Sequence, residues 1–337
     1  MRLRTSDPTR PGFGRRRHGR GFRYVDQAGR PLQDDEARRR IRGLVIPPAW
    51  EDVWICPWPN GHIQAIGTDA AGRRQYLYHP RFREQQEEAK HEHVLLVATA
   101  LPRLRSRVAH DLGARGLTRE RVLSLAVRLL DLGFFRIGDE QYTKANESYG
   151  LTTVLRDQVT CRGGEIGFDY PAKSGRKYCR ELVDEQAFAV TRALLRRRQG
   201  GERLFEYWEG RAWHEVTGAD INAHLRRLSG HDITSKDFRT WHATVLAAVA
   251  LAVSVPVADA SNAVRKRAVV RAVREVADYL GNTPSVCRSS YINPRLFELY
   301  EDGVTIAGSL GDLGVSPRPG VLATQGPVEK AVLDLLR

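Results

Sequence analysis

The feature that most restricts how this chain can fold is a change of periodicity at His79 and Pro80. Upstream, from about Phe22 to Tyr78, short alternating or aromatic runs recur: Val53 to Cys56, His62 to Ile66, and Arg74 to Tyr78. Turn residues such as Pro57, Asn60, Gly61, Ala71 and Gly72 separate them, as expected of short strands. Only Asp34 to Leu44 reads as helix in this stretch, and Pro47 and Pro48 stop it. Downstream, charged helix formers lead into a long segment with few strand signals. The fold class expected is therefore α+β, with a small β-rich domain over residues 21–90 and a larger, mostly α-helical domain over 91–310. The join should fall between about 85 and 95, in a chain of 337 residues that is long enough for two cores.

Within the second part, Thr118 is placed to cap a helix whose Val122, Leu125, Ala126, Leu129 and Leu130 recur at helical spacing, and Gly133 is expected to close it. A second helix is expected from about Ser261 to Leu280. Its Val269, Val273, Val276 and Leu280 face inward, and Arg265, Arg267, Arg271 and Arg274 face largely outward. The exception to helix is a hairpin from Glu165 to Tyr170 and back near Tyr178, with residues 171–176 at its tip. Residues 311–337 form a glycine- and proline-rich tail that ends in a short helical candidate.

Lysine and arginine exceed aspartate and glutamate by 13, so the folded surface carries a positive field that concentrates polyanions. Of the 53 basic residues 46 are arginine, whose planar fork grips a phosphate through two donors. Residues 1–20 are arginine-rich with almost nothing apolar. They are expected to form a disordered basic arm, either drifting onto a DNA backbone or simply solvated. The four cysteines, Cys56, Cys161, Cys179 and Cys287, form no CxxC pair, and no signal peptide is evident. No apolar run approaches the roughly 18 residues of a membrane span. Together these predict a soluble chain with reduced thiols in the cytoplasm, and they exclude disulfide-framed and membrane classes.

Phosphoryl transfer needs a nucleophile, cations aimed at non-bridging oxygens, and a proton donor for the leaving oxygen. Arg136 follows two phenylalanines directly after the expected helix stop. Lys173 sits at the hairpin tip, and Lys236 and Arg239 lie at the start of an apolar helix. Tyr291 follows a turn at residues 281–284, nine residues beyond Asn282. Each alone is ordinary, because helix-start arginines are usually solvated and lone tyrosines usually pack. Their order carries the weight.

That order resembles the catalytic domain of the type IB DNA topoisomerases, specifically the compact bacterial and poxvirus group, whose domain shares the tyrosine recombinase fold. The likeness runs from about Tyr24 to Tyr300. It rests on RRQYLYHPRFR (73–83), FFRIGDEQY (134–142), ESYGLTTV (147–154), SKDFRTWHA (235–243) and LGNTPSVCRSSYINP (280–294).

The resemblance implies an enzyme, acting as a monomer on duplex DNA, that relaxes positive and negative supercoils. It would break one strand transiently through a 3′-phosphotyrosyl intermediate and reseal it, with no cofactor, metal or ATP. It implies that Tyr291 attacks the scissile phosphate, that Arg136 and Arg239 bind its non-bridging oxygens, and that Lys173 protonates the departing 5′-oxygen with help from Lys236. Gln75, Tyr76 and Tyr78 match positions that touch duplex DNA. The chemistry is coherent, since a free phenol has a pKa of about 10 and needs cations to stabilise the charge it develops. The two domains would close as a clamp around supercoiled DNA in a bacterial nucleoid.

Two positions depart from the family. Asn282 stands where the family usually has histidine, so an amide, never a cation, would serve the phosphate. Residues 172–176 read Ala-Lys-Ser-Gly-Arg where the family commonly has Gly-Lys-Ser-Gly-Lys, and Lys173 is kept. Two alternatives remain: a tyrosine recombinase or integrase, and a catalytically dead DNA-binding protein. The box Lys236 to Arg239 lacks the histidine usual in recombinases, and the β-rich front domain replaces their helical arm-binding domain. Residues 167–174 come within one residue of the phosphate loop G-x-x-x-x-G-K-S/T, but Tyr170 and Pro171 spoil the run of backbone donors. His91, Glu92 and His93 lack a further metal ligand nearby and read as solvated helix.

Overall fold

The computed structural model describes residues 1–138, 140, 143, 146–254, 262–312, 322 and 324–337. Parts of the expected 134–142 segment, the 261 helix start and the 311–337 tail lie outside the described residues. The chain divides into two compact units, Met1–Glu92 and His93–Arg337.

The first unit is an antiparallel five-stranded sheet of β1 (Phe13–His18), β2 (Gly21–Val25), β3 (Glu51–Ile55), β4 (Ile63–Thr68) and β5 (Arg74–Tyr78). The strands lie in the order β2-β1-β3-β4-β5, which leaves β2 and β5 at its edges. Helix α1 (Asp35–Gly43) starts where the Asp34 carboxylate accepts the N–H groups of Glu36 and Ala37. Its Ala37 and Ile41 join Leu32, Ile46, Val53, Ile55 and Ala65 in a core of the unit's own.

The expectation of a disordered arm over residues 1–20 is overturned. The Arg4 N–H donates to Asn60 O at 2.9 Å and the His62 N–H to Arg4 O at 2.9 Å. Ser6 is buried and donates to Ile63 O, and residues 13–18 are β1. Almost none of this ordering is apolar burial, so a count of apolar residues misses it. Arg15 alone donates to the carbonyls of Ile46, Pro47 and Trp50.

The second unit begins within α2 (Pro80–Leu112) and is built round α3 (Arg119–Gly133), whose side chains from Val122 onward are mostly buried on every face. Around α3 pack α4 (Glu185–Arg196), α5 (Gly218–Ser229) and α6 (Ser235–Val253). Then follow α7 (Asn262–Leu280), α8 (Pro284–Ser290), α9 (Arg295–Glu301) and α10 (Pro327–Leu336). The expected hairpin is the larger part of a three-stranded antiparallel sheet of β6 (Val159–Arg162), β7 (Glu165–Pro171) and β8 (Lys177–Val183). A further hairpin pairs β9 (Glu206–Glu209) with β10 (Ala212–Glu215). No helix among the described residues is long and apolar enough to cross a membrane.

A buried polar network ties α10 to α6. Arg105 grips both Asp131 oxygens and both Glu329 oxygens, and Trp241 Nε1 donates to Glu329 Oε1 at 2.9 Å. His242 Nε2 lies 3.2 Å from Asp131 Oδ1. Burial alone would raise the Asp131 pKa, but Arg105 and His242 outweigh it and hold the carboxyl far below the usual carboxylate range. Both Trp241 and His242 lie within one helical turn of Arg239.

Candidate active site

Three corners of the helical unit converge. The first follows α3, where Thr118 Oγ1 accepts the Arg121 N–H at the start of the helix. Gly133 is the last helical residue, yet the left-handed position falls on Phe134, with φ 57°. The glycine serves close approach instead, because a Cβ there would lie 2.1 Å from the Phe135 ring. Phe134 is held in this uncommon conformation by ring contacts with His242 and Tyr279, at 4.9 and 4.8 Å between centroids. Two residues later the chain presents Arg136, whose carbonyl accepts the Leu151 N–H.

The second corner is the start of α6. Thr234 and Asp237 form a reciprocal cap, the Thr234 N–H and hydroxyl both donating to Asp237 Oδ2 at 2.8 Å. This fixes the first turn, with Lys236 exposed and Arg239 buried. The third corner follows α7, where Gly281 (φ 65°) turns the chain into Asn282 and α8. Thr283 Oγ1 accepts the Val286 N–H, with Pro284 at the first helical position.

Arg239 stitches two of these corners together. One terminal nitrogen donates to Phe134 O and the other to Leu280 O at 2.9 Å. Arg136 reaches the same turn, donating to Gly281 O and Asn282 Oδ1, each at 2.7 Å. That bond sets the amide orientation, since Oδ1 must face the guanidinium and Nδ2 points away. Asn282 Nδ2 and Arg239 Nε are buried and have no hydrogen-bond partner among the described residues. Two such N–H donors suit the oxygens of an oxyanion. Burial, and next the neighbouring Arg239 charge, lower the Arg136 pKa.

Tyr291 caps the C-terminus of α8, its N–H donating to Cys287 O at 3.0 Å. Its carbonyl accepts the Thr244 hydroxyl at 3.2 Å, and the same hydroxyl accepts the Asn293 N–H at 3.2 Å. Helix α6 thus carries Arg239 at its start and, further along, the buried anchor for the tyrosine backbone. The Arg239 guanidinium carbon lies 5.4 Å from the Tyr291 ring centroid. Cys287, whose carbonyl takes the Tyr291 N–H, is itself buried, and burial pushes its thiol up to about 11, which disfavours the thiolate.

All six candidate catalytic residues, Arg136, Lys173, Lys236, Arg239, Asn282 and Tyr291, line one cleft of about 680 Å³. Arg176 lines it too and donates to Asn282 O at 3.1 Å. It was not among the sequence candidates, although it stands where the family commonly has the second lysine of the hairpin tip. Thr244 carries no such signal, reading only as one position of an apolar helix. Among the described residues no group of three His, Cys, Asp or Glu side chains could hold a metal ion.

In the first unit, Tyr76 and Tyr78 stack on each other at 6.0 Å along edge strand β5, and Tyr78 stacks on Phe82 at 5.4 Å. Tyr76 is 40% exposed. Gln75 Nε2 donates to Asp69 Oδ2 in the β4–β5 turn at 2.9 Å.

Comparison with known proteins matches residues 79–303 to the family described as eukaryotic DNA topoisomerase I, catalytic core. Residues 21–69 match the bacterial DNA topoisomerase IB N-terminal domain. DNA topoisomerase 1B of Acanthamoeba polyphaga mimivirus is 29% identical over 269 residues, covering 78% of this chain and 80% of the viral protein. DNA topoisomerase 1B of Vaccinia virus (strain Copenhagen) is 22% identical over 281 residues, covering 81% and 85%. Since the catalytic-core match spans more than half of its length and the bacterial N-terminal domain precedes it, the chain belongs to the type IB DNA topoisomerase family.

Proposed function

We propose that the chain relaxes supercoiled duplex DNA by a phosphotyrosyl exchange at Tyr291. The phenolic oxygen attacks the scissile phosphorus as its proton passes to solvent, forming a bond to the 3′-phosphate while the bond to the 5′-oxygen breaks. Lys173 gives that oxygen its proton, assisted by Lys236. Arg136, Arg239 and the Asn282 amide stabilise the charge on the non-bridging oxygens. Religation is the reverse, with one phosphodiester exchanged for another of similar energy, so no ATP enters. The cut strand swivels about the intact one before resealing, and supercoils of either sign are lost.

The observation that best supports this reading is the convergence of the six residues on one cleft. Gln75, Tyr76 and Tyr78 are assigned to duplex DNA contact. The reading carries with it a monomer that closes as a clamp, a preference for supercoiled DNA, and a cytoplasmic, nucleoid-associated location.

Two measurements test it. Supercoiled plasmid incubated with the protein in EDTA without ATP is expected to relax, and a denaturing gel is expected to show protein joined to a 3′ end. An absolute need for magnesium would overturn the mechanism, and binding without any adduct would favour the dead DNA-binding alternative. The second concerns Asn282, which offers the phosphate a neutral donor. Asn282→His should cleave at an equal or faster single-turnover rate. A large loss would mean that the Arg136 contact to Oδ1 requires the amide.

A further inference from the structure

The hairpin of β1 and β2 leaves the sheet that carries it. β1 pairs with β3 only at Phe13 and Gly14, while it pairs with β2 from Gly14 to His18. On the other side, β2 meets the chain at residues 30–32 only through Tyr24 and Val25. Residues 15–23 therefore extend as a two-stranded ribbon, turning at Gly19 with φ 55°. Four strand residues at about 3.3 Å each make its β1 arm about 13 Å long.

Arg16, Arg17, His18, Arg20 and Arg23 are all exposed on this ribbon, and it contains no acidic residue. Arg16 and Arg23 are register partners on the same face, an arrangement of like charges that costs stability in an antiparallel pair. An isolated two-stranded ribbon is marginal even without that cost. The carboxylates that flank the ribbon in the sequence are committed elsewhere, Asp26 to the Ala28 and Arg30 amides and the Arg30 side chain, and Asp7 to Thr9 and Arg10. Among the described residues none of the four exposed guanidiniums has a carboxylate partner. Arg15, by contrast, turns inward and donates through both terminal nitrogens to three carbonyls. The ribbon thus separates one structural arginine from four that face solvent.

We infer that this ribbon is a duplex-DNA contact in its own right, distinct from the Gln75, Tyr76 and Tyr78 strand, with Arg16, Arg17, Arg20 and Arg23 held against phosphates. A phosphodiester backbone supplies the regularly spaced anions that would offset the opposed Arg16 and Arg23 charges. A two-stranded ribbon also has the width that a major groove of about 12 Å admits. The inference rests on the proposal that duplex DNA is the substrate.

The test is equilibrium binding of the full chain, in a Tyr291→Phe background that cannot form the adduct, to a labelled 60-base-pair duplex across a salt series. Arg16→Ala, Arg17→Ala, Arg20→Ala and Arg23→Ala combined should reduce the magnitude of the slope of log affinity against log salt by about 3.6, since each lost phosphate contact removes about 0.9. The four Arg→Lys changes should keep the slope. The thermal midpoint of the DNA-free alanine protein should be unchanged or higher, because a like-charge pair has gone. An unchanged slope would overturn the inference, as would aggregation of the alanine protein with no change in DNA affinity, which would make the charges a guard on an edge strand. Should the alanine protein misfold, Arg20→Glu at the exposed turn still decides the matter, with a several-fold affinity loss expected and none overturning it. If the unmodified protein shows no salt-dependent duplex binding, it is the topoisomerase reading that fails.

Discussion

A Tyr291→Phe chain is expected to leave supercoiled plasmid unrelaxed and to form no covalent adduct, while folding and binding duplex DNA as the unmodified protein does. The separation follows from how the residue is held. Its backbone is fixed by Cys287 O and by the Thr244 hydroxyl, which also takes the Asn293 N–H. Its ring packs against the core as a half-buried aromatic group. None of those contacts involves the phenolic oxygen, so its removal should cost little stability. It should cost at least about 10⁴-fold in cleavage rate, the scale seen when a catalytic nucleophile is deleted. Plasmid relaxation and a denaturing adduct gel, run beside a duplex-binding titration, check both halves. Relaxation by the phenylalanine protein would remove Tyr291 from the mechanism.

What could be read from the residues alone follows a physical line. The six candidate side chains could be picked out only because their order resembles that of a known family, and Arg136, Lys173, Lys236, Arg239, Asn282 and Tyr291, scattered over more than 150 positions, do line one cleft. The α7 pattern was legible because Val269, Val273, Val276 and Leu280 are buried at helical period. Backbone acceptors were not, because a carbonyl leaves no mark on residue identity. The cradle formed by Phe134, Leu280 and Gly281 carbonyls, which aims both arginines, is of this kind. The role of Gly133 was misplaced for a related reason. A glycine after a helical pattern suggests a left-handed cap, but here it makes room for the Phe135 ring, and Phe134 takes the positive φ. The first twenty residues failed the same way, since main-chain pairing and Arg15 order them without apolar side chains.

Arg239→Ala is expected to be the most damaging change outside the tyrosine, because Arg239 has two duties that alanine abolishes together. In the proposed reaction it is the cation beside the Tyr291 ring that would stabilise charge on the phosphate, and deleting one preorganised donor of this kind typically costs about 10² to 10³ in rate. As a buried fork it joins the corner that presents Arg136 to the one that presents Asn282. Without it, Phe134 O and Leu280 O, on buried residues, lose this partner, at about 1–3 kcal/mol for each acceptor left unsatisfied. Loosening those corners moves the remaining donors away from the phosphate, so single-turnover cleavage should fall by at least about 10³ while duplex affinity changes far less. Arg239→Lys separates the duties. An ammonium restores the charge, but it lacks the planar fork that spans both carbonyls and leaves Nε for the substrate. Lysine should therefore recover only part of the rate, with the thermal midpoint remaining below that of the unmodified protein. Measured cleavage by the alanine protein within tenfold of normal would mean that Arg136 alone supplies the charge stabilisation and that Arg239 is only a strut.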